Sequence, residues 1–274
     1  MSTFQSYLDI NAINWSSLKA MHVSALAYRW WQDHPSPDKP AYQLGRATHS
    51  AILEPESFAT EYVVYPGKVR RGKAWEEFQE ENGWCEIITA NDMELAETMA
   101  AAVQVHPVAS TLLSGGDAEV NLEWTDPVTG MKCKGRADYL TDRVIDLKTA
   151  REVDPRRFSR AIADYQYHGQ LAYYHDGWRR SMCDPDSPVL NPIIIAVQSQ
   201  PPYDVAVYQM TDEAMDAGRA LYRGLLDRLA ECMATDTWPG VAGEVVDVEL
   251  PPWAAGVDTV DPASALKIGG ESAF

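Results

Sequence analysis

Gly135-Arg136-Ala137-Asp138-Tyr139-Leu140-Thr141-Asp142-Arg143-Val144-Ile145-Asp146-Leu147-Lys148 decides how this chain is read. Apolar and polar residues alternate up to Leu140, Thr141-Asp142-Arg143 is turn chemistry, and the alternation resumes at Val144, so the stretch predicts a β-hairpin. A turn centred on Asp142 sets Asp138 opposite Asp146, with β-carbons roughly 5 Å apart on one face. Two carboxylates that close repel unless one is protonated or a cation lies between them. Oxygen donors at such a spacing suit Mg²⁺ or Mn²⁺, one ion or two. Lys148 lies two residues past Asp146 and shares its face, while Ile145 and Leu147 point into the core. Acid, apolar residue, lysine is a pattern suited to metal-assisted attack of water on phosphorus, with the lysine orienting or deprotonating the water. A solvated cross-strand ion pair is the plainer explanation of three such letters; the surroundings shift the balance.

Outward from the hairpin, residues 118–125 and 131–140 read as strands joined by turn residues 126–130, and 192–199 and 204–210 as two further strands. Helices are expected over 15–34 (capped by Ser16 or Ser17), 45–53, 92–113 (interrupted at Pro107), twice within 155–182, and over 211–233. This order predicts an α/β (α+β) fold, a mixed central sheet in αβββαβ order flanked by helices. A doubly wound nucleotide fold is excluded by the lack of both a G-x-G-x-x-G turn and a P-loop. The chain has 274 residues, 46% of them hydrophobic, with nine Trp and thirteen Tyr. That is enough for one core, expected over residues 1–240 with a peripheral tail at 241–274. No apolar stretch reaches membrane-span length and residues 1–14 do not resemble a signal peptide, so a cytoplasmic location and no membrane partner are expected. The four cysteines are scattered, which argues against zinc or an iron–sulfur cluster.

With these surroundings the sequence resembles the PD-(D/E)xK nuclease superfamily, and more narrowly the RecE-type exonucleases of phages and prophages, over about residues 15–233. Gly135-Arg136-Ala137-Asp138 matches the G-x-x-D element, with Ala137 where the name-giving proline stands, and Asp146-Leu147-Lys148 matches D-x-K. Gly45-Arg46-Ala47-Thr48-His49, followed by Leu53-Glu54-Pro55-Glu56-Ser57-Phe58, resembles the first motif and implies His49 as a metal ligand beside Asp138, Asp146 and the Leu147 carbonyl. Arg71-Gly72-Lys73-Ala74-Trp75 and His106-Pro107 fall where the family has similar residues. Gln170-Leu171-Ala172-Tyr173-Tyr174 resembles Q-x-x-x-Y; Gln170 and Tyr174 share a helix face and are implied to position Lys148 or a phosphate. Glu119 is a further candidate whose face depends on the register of the first strand. The resemblance implies a nuclease of linear double-stranded DNA working from the 5′ end, a ring-shaped homo-oligomer, and a RecT-like single-strand annealing partner. Rival readings are a RecB-like or CRISPR-associated nuclease, an endonuclease of the same fold, and a catalytically silent DNA-binding relative.

Against 40 Asp and Glu stand 23 Lys and Arg, a net charge of −17, the wrong sign for long-range attraction to DNA. Grip must therefore be local, within a Debye length of about 8 Å. Lys134 and Arg136, on the Asp138 face by the two-residue period, and the cluster Lys68, Arg70, Arg71 and Lys73 are expected to meet phosphates.

Overall fold

A computed structural model describes residues 3–34, 40–67, 69–183, 188 and 190–250. The elements run α1 (Thr3–Asp9), α2 (Trp15–Leu18), a 3₁₀ turn (Lys19–His22), α3 (Ala25–Asp33), α4 (Pro40–Leu53), α5 (Pro55–Glu61), β1 (Tyr62–Val64), α6 (Lys73–Glu81), β2 (Glu86–Ile88), α7 (Ala90–Val105) and α8 (Pro107–Leu112). They continue with β3 (Asp117–Thr125), β4 (Lys132–Leu140), β5 (Val144–Ala150), α9 (Pro155–Asp164), α10 (Tyr167–Met182), β6 (Ile193–Gln198), β7 (Val205–Gln209) and α11 (Asp212–Thr235). Strands β3 to β7 form one mixed sheet in sequence order, antiparallel except for the parallel β5–β6 pair. The α/β class and the helix-flanked mixed sheet are thus as the sequence indicates.

Each face of the sheet buries its own apolar cluster. On one, Leu122, Ala137, Val144, Ile194 and Ala196 pack under α10 and α11 through Leu171, Tyr173, Leu226 and Leu229. On the other, Tyr139, Ile145, Leu147, Ile193, Ile195 and Val197 meet Met99 and Val103 of α7. A third cluster, Ala47, Phe58, Ile88 and Ala96, joins α4, α5 and α7 to the small parallel β1–β2 pair. Strand β5 feeds both large clusters from alternate positions, which is the period-two geometry that leaves Asp146 and Lys148 together on the α10 side.

Three boundaries differ from expectation. Residues 15–34 are not one helix: Asn14, not Ser16 or Ser17, caps α2 by accepting from the Ser17 N–H at 2.8 Å, and Ser24 starts α3 afresh by accepting from Ala27. The α4 helix opens at Pro40, ahead of the expected 45. No periodicity marks α5, β1, α6 and β2 in the sequence, and the two strands are only three residues long. The last described residues, 239–250, are exposed, and 251–274 of the expected tail lie outside the described residues.

The turn between β3 and β4 is fastened to α11. Asp126, 2% exposed, receives both Arg223 guanidinium nitrogens at 2.6 and 3.0 Å and the Thr129 hydroxyl and amide at 2.7 and 2.8 Å. Burial alone would raise its pKa, but the bonds from Arg223 and Thr129 outweigh that and hold it at about 2. A carboxyl whose folded value lies below its unfolded one stabilises above about pH 4 and loses that contribution as pH falls towards 2. Chemical denaturation at stepped pH is expected to show Asp126→Asn less stable than wild type by about 2 kcal/mol at pH 5, with the gap closing near pH 2. A gap that persists at pH 2 refutes the linkage.

Candidate active site

The β4–β5 ladder is short. Tyr139 pairs with Ile145 and Leu140 with Val144, the register that a turn centred on Asp142 requires, and then the strands part. The Leu147 N–H, freed from the ladder, donates instead to Asp138 Oδ2 at 2.7 Å. A side chain therefore satisfies a backbone donor that burial would otherwise penalise, and the parted strands leave a cleft with Asp138 on one lip and Asp146 on the other.

Three other elements reach this cleft. From α4, His49 sets Nδ1 3.6 Å from Asp138 Oδ2 and hydrogen-bonds the Leu147 backbone. From β3, Glu119 lies opposite Asp138, between the pairs Ala118–Tyr139 and Val120–Ala137. Its φ of 55° is left-handed, a costly conformation for a residue with a Cβ, and it carries the carboxylate to Arg136 Nε at 2.5 Å. From α10, Gln170 Nε2 donates to Asp146 Oδ1 at 3.3 Å and hydrogen-bonds Tyr174 one turn on. The Tyr174 ring packs against Gly135, where a Cβ would stand 2.8 Å from it; the glycine of G-x-x-D is there for that close approach. Lys148 Nζ pairs with Asp146 Oδ2 at 2.5 Å and lies 4.9 Å from the centre of the Tyr167 ring.

The electrostatics follow from this crowding. Desolvation raises the carboxyls of Glu119, Asp138 and Asp146, Asp146 to about 6, with mutual repulsion adding to the shift at Glu119 and Asp146. Desolvation, and then the Lys148 cation, lower His49, which keeps the imidazole neutral and its lone pair available. Desolvation would also lower Lys148, but Asp146 and Asp138 outweigh it and hold the amine above its usual value, hence protonated. A protonated amine cannot act as the base, so its role narrows to orienting a water or a phosphate. One ligand atom each from His49, Glu119 and Asp138 falls within a 4.8 Å span. Two hard oxygens and one imidazole nitrogen, in a pocket with too much negative charge, fit a divalent ion.

Not every expected residue is here. Lys134 is a correction: it is 5% exposed, and its Nζ donates to the carbonyls of Tyr7 at 2.8 Å, Leu8 at 3.4 Å and Ile10 at 2.7 Å. It closes the carbonyl end of α1 and has no free face for a phosphate. Arg136 is on the expected face but is engaged by Glu119. Arg70, over the Trp75 ring at 5.5 Å, exposed Arg71, and Lys73, paired with Glu77 at 3.5 Å, lie around the start of α6; Lys68 is outside the described residues. His106 and Pro107 form a helix junction, His106 Nδ1 accepting from the Ala109 N–H at 3.1 Å. Sequence reasoning missed Tyr167 and also Lys19, whose amine is lowered by desolvation and by the Lys148 charge. Neither lies near the hairpin in sequence, and no spacing rule points to them.

The model of the PDDEXK-like domain of unknown function DUF3799 matches residues 14–249. The chain belongs to this family. As a PDDEXK-like domain it shares its fold with a crystal structure described as a "putative exonuclease" from Eubacterium rectale, at TM-score 0.61 and 15% identity over 94% of this chain and 96% of that one. A second structure, SSO0001, aligns at TM-score 0.29 and 18% identity over 73% and 87% of the two chains. No curated protein is significantly similar. Among the described residues no helix is long and apolar enough to cross a membrane.

Proposed function

We propose that this PDDEXK-like domain is a divalent-metal-dependent exonuclease that hydrolyses phosphodiester bonds of linear double-stranded DNA from the 5′ end. The observation that carries the reading is the meeting of Asp138, Asp146 and Lys148 with His49 and Glu119 where β4 and β5 part. His49, Glu119 and Asp138 would hold the ion, with Asp146 and the Leu147 carbonyl beside them. When bound, Mg²⁺ or Mn²⁺ polarises the phosphate and makes water a stronger nucleophile. The chain's own groups do the rest. Lys148, kept protonated by Asp146, donates to the attacking water or to the phosphate oxygens. Gln170 holds Asp146, Arg136 holds Glu119, and Tyr174 against Gly135 closes the floor.

The same reading carries the resemblance's further implications as proposals: a ring of identical chains, a RecT-like annealing partner, a cytoplasmic location, and phosphate contacts from Arg70, Arg71 and Lys73. Linear duplex labelled at either end, incubated with Mg²⁺ and then with EDTA, tests the reading. Label release from the 5′ end in Mg²⁺ alone, with closed circular duplex left intact, is expected. Cleavage in EDTA refutes metal dependence, and cleavage of the closed circle refutes the exonuclease.

A further inference from the structure

The first turn of α10 touches both members of the Asp146–Lys148 pair. Gln170 donates to Asp146 Oδ1 at 3.3 Å; three residues earlier, on the same side of the helix, Tyr167 sets the centre of its ring 4.9 Å from Lys148 Nζ. The helix is entered through Gln166 at a φ of 59°, a left-handed conformation costly for a residue with a Cβ. Half-buried Tyr167 is itself hemmed in by rings, with Phe158 of α9 at 6.4 Å and Tyr165 at 5.5 Å between centres. Among the described residues its hydroxyl makes no hydrogen bond, so the ring and not the oxygen is engaged. Lys148 needs such a hold. Its charge rides on a flexible four-carbon stem, its ion pair among the described residues is with Asp146 alone, and the Lys19 amine is close enough to repel it. One ion pair fixes the distance to Asp146 but leaves the amine free to turn about it. A ring face supplies a second attachment, because its quadrupole attracts a cation within about 6 Å of the centroid.

We infer that Tyr167 is a positioning residue: the face of its ring aims Lys148 Nζ at the water or phosphate that Lys148 serves, while Gln170 fixes Asp146 from the same turn of helix. The inference rests on the nuclease reading for the reaction served, and one arm of its test needs no cleavage. As a mere apolar filler beside Phe158, Tyr167 would be replaced equally well by leucine.

Lysine NMR of the full chain in EDTA reads the contact itself. The ε-methylene protons of Lys148, assigned by their loss in Lys148→Arg, are expected upfield of those of exposed lysines because the ring face shields them. Tyr167→Leu is expected to move them back, and Tyr167→Phe to leave them in place. Lys134, 4.5 Å from the centre of the Tyr7 ring, supplies a second shielded signal that both variants leave unchanged. Cleavage of linear duplex in Mg²⁺ reads the consequence. Tyr167→Leu is expected to lower kcat about tenfold, the worth of a partly desolvated cation over a ring. KM stays within about twofold, since an aimed amine acts on the reacting groups and not on overall binding, and Tyr167→Phe restores kcat to within about twofold of wild type. Tyr167→pentafluorophenylalanine keeps the ring's shape but withdraws negative charge from its face, and is expected to fall with Tyr167→Leu. An unshielded Lys148 in wild type, shielding that survives Tyr167→Leu, or equal kcat in Tyr167→Leu and Tyr167→Phe each overturns the inference. So does a pentafluoro variant as active as Tyr167→Phe, or a raised KM at unchanged kcat, which would make Tyr167 a substrate contact. A wild-type protein that cleaves nothing refutes the nuclease reading, and the NMR arm still decides whether the ring holds the amine.

Discussion

Asp146→Asn loses DNA cleavage by at least about 10²-fold while the protein melts no lower than wild type in EDTA. Asparagine keeps the shape of the side chain and still accepts from Gln170, so packing at a position 2% exposed is preserved. What disappears is the negative charge that keeps Lys148 protonated and aimed. A carboxyl whose folded pKa lies near 6, above its unfolded value of 3.8, is ionised at neutral pH against the interests of folding. Its contribution to stability is present at low pH and lost as pH rises through 6, so removing the charge relieves the fold. Lys148 keeps Asp138 as a second neighbouring anion and is not left alone in the interior. Cleavage assays and thermal melts on the same preparation decide the matter: retention of more than about a tenth of wild-type activity refutes the role. A sharply lowered melting temperature would instead make Asp146 a structural residue.

The second large effect is on the fold. Gly218 of α11 faces the backbone of α10, where a Cβ would lie 2.2 Å from the His168 carbonyl oxygen and 2.9 Å from the Ala172 Cβ. A carbonyl in a helix cannot swing aside like the end of a long side chain, so Gly218→Ala must push the two helices apart. Overpacking of this kind costs about 3 kcal/mol and lowers the melting temperature by roughly 6–12 °C in a domain of this size. Gly224, six residues along the same helix, is exposed with nothing within 4 Å of its would-be Cβ. There the same substitution is expected to raise stability by up to about 1 kcal/mol, because alanine is the better helix former. The pair isolates contact from propensity: equal shifts at both positions would show that the α10–α11 approach does not set the limit. Gln170 is two residues beyond His168, so the Gly218 variant is also expected to loosen the bond to Asp146 and lose activity.

Strand β5 was open to sequence reading because one regular element carries the whole message: Ile145 and Leu147 inward, Asp146 and Lys148 on the reactive side. The centre of the three-residue turn predicts the Tyr139–Ile145 and Leu140–Val144 pairs, a constraint local enough for arithmetic, but the ladder ends there, so Asp138 and Asp146 do not pair across it as expected. Lys134 shows the limit of the same rule. Period two gives a side chain its face but not what covers that face, and here the cover is α1, more than a hundred residues earlier in the chain. Glu119 was uncertain for a related reason: its left-handed backbone removes it from the ladder, so a register alone does not describe it. The single helix expected over 15–34 failed because hydrophobic spacing continues through Ser24 while the hydrogen bonds restart there. Lys19 and Tyr167 come to Lys148 by tertiary packing alone.

The contorted backbone at Glu119 sets fitness for work against ease of folding. A laboratory selection that rewarded heat resistance and nothing else would drift at this position towards glycine or asparagine, which tolerate the twist, and would discard the carboxylate on the way. The survivors would be sturdier molecules with a blunted blade.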